Sequence, residues 1–182
     1  MFHTRFCYQV WTDPRLAWDP AEYKGAENVR VPGENVWRPD LFNYQDAYSG
    51  AIGHKSDVLA VISHTGQIMY VTPFKFNTMC TVDFVDTAGD SSEDSGPDFN
   101  SARCQMKIGS WTRSSEFLDL HVDGDSAVSL DAYKEHVCYR IKQTNVTRNA
   151  IHYECCPQSY VDVRYEITVE PNPSAPKICY RH

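Results

Sequence analysis

From Val161 onward the chain alternates without a fault. Val161, Val163, Tyr165, Ile167 and Val169 share one face, and Asp162, Arg164, Glu166, Thr168 and Glu170 share the other. A period of two is the pleat of a half-buried strand and rules out an amphipathic helix over the same residues. Shorter runs from Val58 to Ile62, Ile68 to Thr72, Cys80 to Val85, Glu116 to Val122 and Val137 to Lys142 also read as strands. Turn signals stand between them at His64-Thr65-Gly66, Asp123-Gly124-Asp125 and Asn172-Pro173. No stretch has the periodicity of a long amphipathic helix, and no internal repeat is visible. The expectation is an all-β chain built as an antiparallel β-sandwich. Within 182 residues one domain with a sizeable core is expected. Residues 86–103 are acidic and rich in Gly, Ser and Asp, which predicts a mobile exposed loop. From Glu170 to Pro176 there are three prolines, and the chain is expected to leave the sheet there.

Charge and composition remove several function classes. The net charge of −7 speaks against a nucleic-acid partner and mildly favours encounter with a cation. No run approaches the ~20 apolar residues of a membrane span. The start, Met1-Phe2-His3-Thr4-Arg5, lacks the apolar core of a signal peptide. Seven cysteines and the sequon Asn145-Val146-Thr147 nevertheless point to an exported, extracellular protein with Asn145 glycosylated. The expectation is therefore an incomplete N-terminus. One cysteine at least has no partner within the chain. The seven histidines have no HExxH or other metal spacing, and no Gly-rich phosphate loop occurs. His121, Asp123 and Ser126 would make only a forced triad. An enzyme, a bound metal and a cofactor are not expected.

The segment Tyr153-Glu154-Cys155-Cys156-Pro157-Gln158-Ser159-Tyr160 leads directly into the alternating strand. Adjacent α carbons lie ~3.8 Å apart, whereas ordinary disulfides want roughly 4.4–6.8 Å. A bridge between Cys155 and Cys156 would thus be a strained loop tip and a poor staple. The alternative is that each sulfur has a separate partner. Upstream, Cys80 and Cys104 flank the acidic stretch, and Lys107-Ile108-Gly109-Ser110-Trp111-Thr112 follows. Earlier still stands Trp37-Arg38-Pro39-Asp40-Leu41-Phe42-Asn43-Tyr44. Taken singly, these are compatible with a surface staple and with core aromatics.

Taken in order, the WRPD, Cys-loop, GSW and YxCCPxxY motifs resemble the Cys-loop receptor family. Both the ligand-binding domain of nicotinic acetylcholine receptors and the soluble acetylcholine-binding proteins carry this set. The resemblance covers residues 6 to 170, with 171–182 as a C-terminal tail. It implies an immunoglobulin-like β-sandwich, and here one lacking the family's N-terminal helix and first strand, which should precede Phe6. It implies bridges Cys80–Cys104 and Cys155–Cys156. It places Tyr44, Trp111, Tyr153, Cys155, Cys156 and Tyr160 on a principal ligand face. Phe6, Met69 and Val71 fall on a complementary face that a neighbouring subunit supplies, in a homo- or hetero-pentamer. The family loop is about half as long and carries an aromatic-proline-aromatic-aspartate motif. Here only Pro97-Asp98-Phe99 stands, in altered order. Cys7, Cys138 and Cys179 have no counterpart in the resemblance.

The chemistry of such a set favours acetylcholine, nicotine or a similar amine. A quaternary or protonated amine carries full charge and accepts no hydrogen bond. Aromatic faces offer it negative quadrupole at about 0.5–2 kcal/mol per good contact. Several faces approach the −8 kcal/mol or so of micromolar binding, less the association cost. The expected function is extracellular binding of a cationic amine at a subunit interface, as a soluble binding protein. The alternatives are an extracellular fragment of a receptor channel subunit and a structural sandwich without ligand.

Overall fold

The computed structural model describes residues 5–46, 58–74, 78–85, 98–122, 128, 130, 133–176 and 179, with only the backbone at 5–7, 73–74, 85 and 98. The strands in order are β1 (Arg5–Thr12), β2 (Asn28–Pro32), β3 (Leu41–Asn43), β4 (Leu59–Ser63), β5 (Gln67–Phe74), β6 (Cys80–Val85), β7 (Asp98–Ser110), β8 (Tyr139–His152) and β9 (Ser159–Pro171). Among the described residues, helix is confined to single 3-10 turns at Pro14–Leu16, Pro20–Tyr23 and Gly33–Asn35. Asp13 and Asp19 cap the first two, accepting from the backbone N–H of Arg15 and Ala21. The chain is all-β, as the period-two pattern requires.

The chain divides into two compact units. The first, residues 1–41 and 51–77, carries a sheet in the order β1-β5-β4-β2. Its core is Ala60, Ile62, Ile68 and Tyr70, with Trp11, Trp18, Val31, Val36 and Val58 packed on it. The alternation in β4 and β5 produces this: one face of each strand is sealed while Val61, Met69 and Val71 stay half-buried on the other. The β4–β5 turn needs glycine. Gly66 has φ +80°, and a Cβ there would meet the Asp13 carbonyl at 2.5 Å.

The second unit, residues 42–50 and 78–182, is built on the sheet β3-β7-β9-β8, with β6 also paired to β7. β7, β8 and β9 have 13, 14 and 13 residues. At about 3.4 Å per residue they are long strands. β6 and β7 set Cys80 opposite Cys104, and the two form a disulfide.

Three expectations are corrected here. Glu116 to Val122 is not a strand. The Ser114 carbonyl accepts from both Phe117 N–H and Leu118 N–H, each at 3.0 Å, and this local turn wins over a weak alternation. The loop expected over 86–103 is shorter, because Asp98 already begins β7 and pairs with Val85. Residues 86–97 lie outside the described residues, as does the Asp123-Gly124-Asp125 signal. The strand expected from Val137 to Lys142 begins at Tyr139 and runs on to His152, because its polar residues alternate on an exposed face. Beyond β9 the tail is tied back. Asn172 N–H donates to the Cys138 carbonyl at 2.9 Å, and Cys138 is bridged to Cys179. Of the cysteines without counterpart in the resemblance, that leaves Cys7, whose side chain is outside the described residues.

Candidate functional site

The site grows from the β8–β9 hairpin and the end of β7, all within the second unit. Gly109 pairs with Asp162 across β7 and β9. A Cβ on Gly109 would lie 2.9 Å from Cε2 of Tyr44 and 3.1 Å from the Val161 carbonyl. The glycine therefore gives Tyr44 its seat. The tyrosine is held there by its N–H on the Lys107 carbonyl at 2.8 Å and by its hydroxyl, which donates to the Ser110 carbonyl. Trp111 follows at once. Its ring lies 5.7 Å from Tyr44 and 5.4 Å from Phe42, and the residue is 63 % exposed. An indole left that open has apolar area to give to a ligand or a partner.

The hairpin turn supplies the other wall. Cys156 N–H donates to the Tyr153 carbonyl at 3.0 Å, which closes the turn. Tyr153 and Tyr160 meet edge to face at 5.7 Å. Ser115 joins Ser159 through a backbone bond of 2.8 Å and a hydroxyl pair at 2.6 Å, fixing the start of β9. The result is an open depression of about 280 Å³ lined by Tyr44, Ser110, Trp111, Tyr153, Cys155, Cys156, Tyr160, Val161 and Asp162. All six residues expected on the principal face line it.

The bridge expected between Cys155 and Cys156 is not formed. Both are free thiols, Cys155 exposed and Cys156 half-buried. Adjacent α carbons at ~3.8 Å fall short of the usual disulfide span, and the two sulfurs meet instead through a hydrogen bond. That bond is the first cause raising the Cys155 thiol above its ordinary pKa, with desolvation next. The charge Cys156 would carry as a thiolate is the main cause raising the Tyr160 hydroxyl.

The floor carries a charge that the alternation pattern assigns to solvent. Asp162 is only 3 % exposed. Its carboxylate accepts from Lys107 Nζ at 3.3 Å and from Asn149 Nδ2 at 2.8 Å. Lys107 also lies over the Tyr44 ring, 5.5 Å from its centroid. A buried carboxylate is costly without such partners. Lys107, Asn149, Asp162, Phe42 and Ser110 are the site residues that sequence reasoning missed. The strict alternation hid Asp162, and its three-way pairing is visible only in register.

The residues expected on the complementary face belong to the first unit. Val71 pairs with Tyr8 and Met69 with Val10, and Met69 also faces Val61. Tyr8 and Val10 are exposed, so this strip is apolar and open. Phe6 pairs through its backbone with Pro73, and its side chain lies outside the described residues. No group of three or more His, Cys, Asp or Glu side chains able to hold a metal occurs among the described residues.

An antiparallel all-β chain with an open aromatic depression beside a hairpin turn has the architecture of a ligand-binding domain. The chain belongs to the neurotransmitter-gated ion-channel ligand binding domain family, whose profile matches residues 2–173. It is 31% identical over 164 residues to the neuronal acetylcholine receptor subunit alpha-6 of Rattus norvegicus, covering 90% of this chain and 31% of that protein. It is 30% identical over 165 residues to subunit alpha-3 of Bos taurus, covering 91% and 31%. Its fold is that of an acetylcholine-binding protein of Capitella teleta solved with lobeline. The TM-score is 0.74 and the identity 21%, over 92% of this chain and 70% of that one. The chain thus spans 31% of the length of the receptor subunits it resembles.

Proposed function

We propose that the chain binds a quaternary or protonated amine, such as acetylcholine or nicotine, against the rings of Tyr44, Trp111, Tyr153 and Tyr160. The observation that carries this reading is the depression at the β8–β9 turn, where four aromatic side chains converge above a buried carboxylate. Each ring face contributes about 0.5–2 kcal/mol toward a cation. Asp162 is held by Lys107 and Asn149, so it sets the local potential without having to be stripped of partners when ligand arrives. The open strip of Tyr8, Val10, Met69 and Val71 suits a complementary wall given by a homologous subunit. A head-to-tail contact of that kind repeats until a ring closes, which the family resemblance makes a pentamer.

A second reading has its own support. The relatives are receptor subunits of which this chain matches 31%, so the same binding domain fits the extracellular part of a ligand-gated channel. Both readings share the site and its extracellular setting.

Tryptophan fluorescence titration with acetylcholine and nicotine tests the site. Trp111→Ala should weaken binding by about 2 kcal/mol, the loss of the best cation–π face, and Trp111→Phe by less. Equal affinity in Trp111→Ala and the parent chain would remove the site from consideration.

A further inference from the structure

β8 is an edge strand of 14 residues, and among the described residues its strand partner is β9 alone. Long free edges template pairing with other chains, and proteins blunt them with charge, bulges or cover. The two ends of β8 are blunted in this way. Near its start, the register slips between Ile141 and Gln143, which is a bulge that disrupts regular pairing. Arg140 and Lys142 flank that point and share Glu170, at 2.8 Å and 3.1 Å. Toward its end, Arg148 Nε donates to the Leu120 carbonyl at 2.7 Å and Nη2 to the Asp119 carboxylate, anchoring another segment on the strand.

Among the described residues the middle has none of these devices. Gln143-Thr144-Asn145-Val146-Thr147 is uncharged and rich in β-branched residues, the composition that pairs readily. Asn145 and Thr147 sit two residues apart on one exposed face, with half-buried Val146 between them. Asn145 pairs with Glu166 and Thr147 with Arg164. The Asn145 amide makes no hydrogen bond among the described residues, so its nitrogen is open to chemistry. Two disulfides fit an oxidising export route, where the sequon is read.

We propose that Asn145 carries an N-linked oligosaccharide and that this glycan closes the unprotected middle of the β8 edge. The donor is a lipid-linked oligosaccharide diphosphate. Asn145 Nδ2 forms a bond to the anomeric carbon while the bond from that carbon to the diphosphate oxygen breaks. The amide proton is lost, and the lipid diphosphate departs as the leaving group. The chain emerges N-terminus first, so β8 is synthesised before β9 and the sequon is accessible before the hairpin pairs. The finished glycan is bulky and hydrated, and on an edge strand it excludes a second chain.

The full chain, routed through the secretory pathway of a eukaryotic host, is treated with peptide N-glycosidase under native conditions. The treatment should convert residue 145 to Asp, read from the peptide mass, which locates the glycan. Thr147→Ser keeps the sequon and should keep the glycan; Thr147→Ala should lose it, leave Asn145 uncharged, and self-associate in light scattering at several-fold lower protein concentration. Asn145→Lys, without glycan but with a charged edge, should stay as dispersed as the glycosylated chain. Recovery of unmodified Asn145 from secreted protein overturns the site. Thr147→Ala no more associated than the parent chain, or Asn145→Lys associating like Thr147→Ala, overturns the shielding role.

Discussion

Lys107 Nζ stands 3.3 Å from the Asp162 carboxylate and 5.5 Å from the centroid of the Tyr44 ring. One ammonium thus couples the floor of the depression to its aromatic wall. Removing one partner of a buried pair leaves the other uncompensated, at about 3–5 kcal/mol. Lys107 retains 20% exposure, which favours the lower end of that range. Lys107→Met should therefore lower stability by about 3 kcal/mol in denaturant titration. Lys107→Met with Asp162→Leu should recover part of it, since no lone charge remains. A double variant as damaged as the sum of the singles would show that the pair does not interact.

Gly109 and Tyr44 make a second coupling, steric rather than electrostatic. The nearest neighbours of an added Cβ are a ring carbon of Tyr44 at 2.9 Å and the backbone of Val161 at 3.1 Å. The backbone cannot yield, so the ring must. Gly109→Ala should cost about 1–3 kcal/mol and weaken amine binding by turning Tyr44 away from Trp111. Unchanged stability and affinity would mean that the ring has room to move.

Those two contacts mark the limit of what the sequence makes legible. Strand identity is local, so the period of β9 and the runs in β4, β5 and β6 can be read directly. The principal-face residues can be placed because they lie in motifs of fixed order. Asp162 cannot, because its burial depends on Lys107 and Asn149 arriving from β7 and β8, and nothing in the period-two pattern encodes that register. The continuation of β8 past Lys142 is hidden for a related reason. Its exposed polar residues dilute the apolar signal, and pairing with β9 decides the outcome. The Cys138–Cys179 bridge is equally a product of tertiary placement, since the tail is brought back where Asn172 N–H meets the Cys138 carbonyl.

Acid should act on the first unit through Asp13. Its carboxylate accepts from Arg15 Nε at 2.9 Å and Nη2 at 2.7 Å, and these side-chain bonds are the main cause holding its pKa at about 2, below the usual 3.8. The folded chain therefore binds this proton less readily than the unfolded chain. The contribution is fully present above about 3.8 and is lost as pH falls through about 2. The pair is exposed, so the effect is small. Asp13→Asn should remove this small contribution at neutral pH and flatten the stability profile in that window, so that variant and parent chain converge in acid. A variant whose stability still falls between about pH 4 and about pH 2 as steeply as that of the parent chain would assign the acid response elsewhere.

The Cys138–Cys179 bridge closes a stretch of 41 residues that contains β8, the Cys155–Cys156 turn and β9. In the chain-entropy account a loop of that length restricts the unfolded state by roughly 4 kcal/mol. Cys179→Ser should therefore lower stability by that order, with Cys138 recovered as a thiol in peptide mapping. Residues of the depression lie inside the loop, yet the bridge sits at the far end of the hairpin from its turn. Tyr153 and Tyr160 are held locally by their own ring contact and by the turn bond from Cys156 to Tyr153. Amine affinity measured on the folded Cys179→Ser protein, well below its melting temperature, should therefore match that of the parent chain. A parallel loss of affinity would mean that the bridge sets the shape of the hairpin turn across the whole length of β8 and β9.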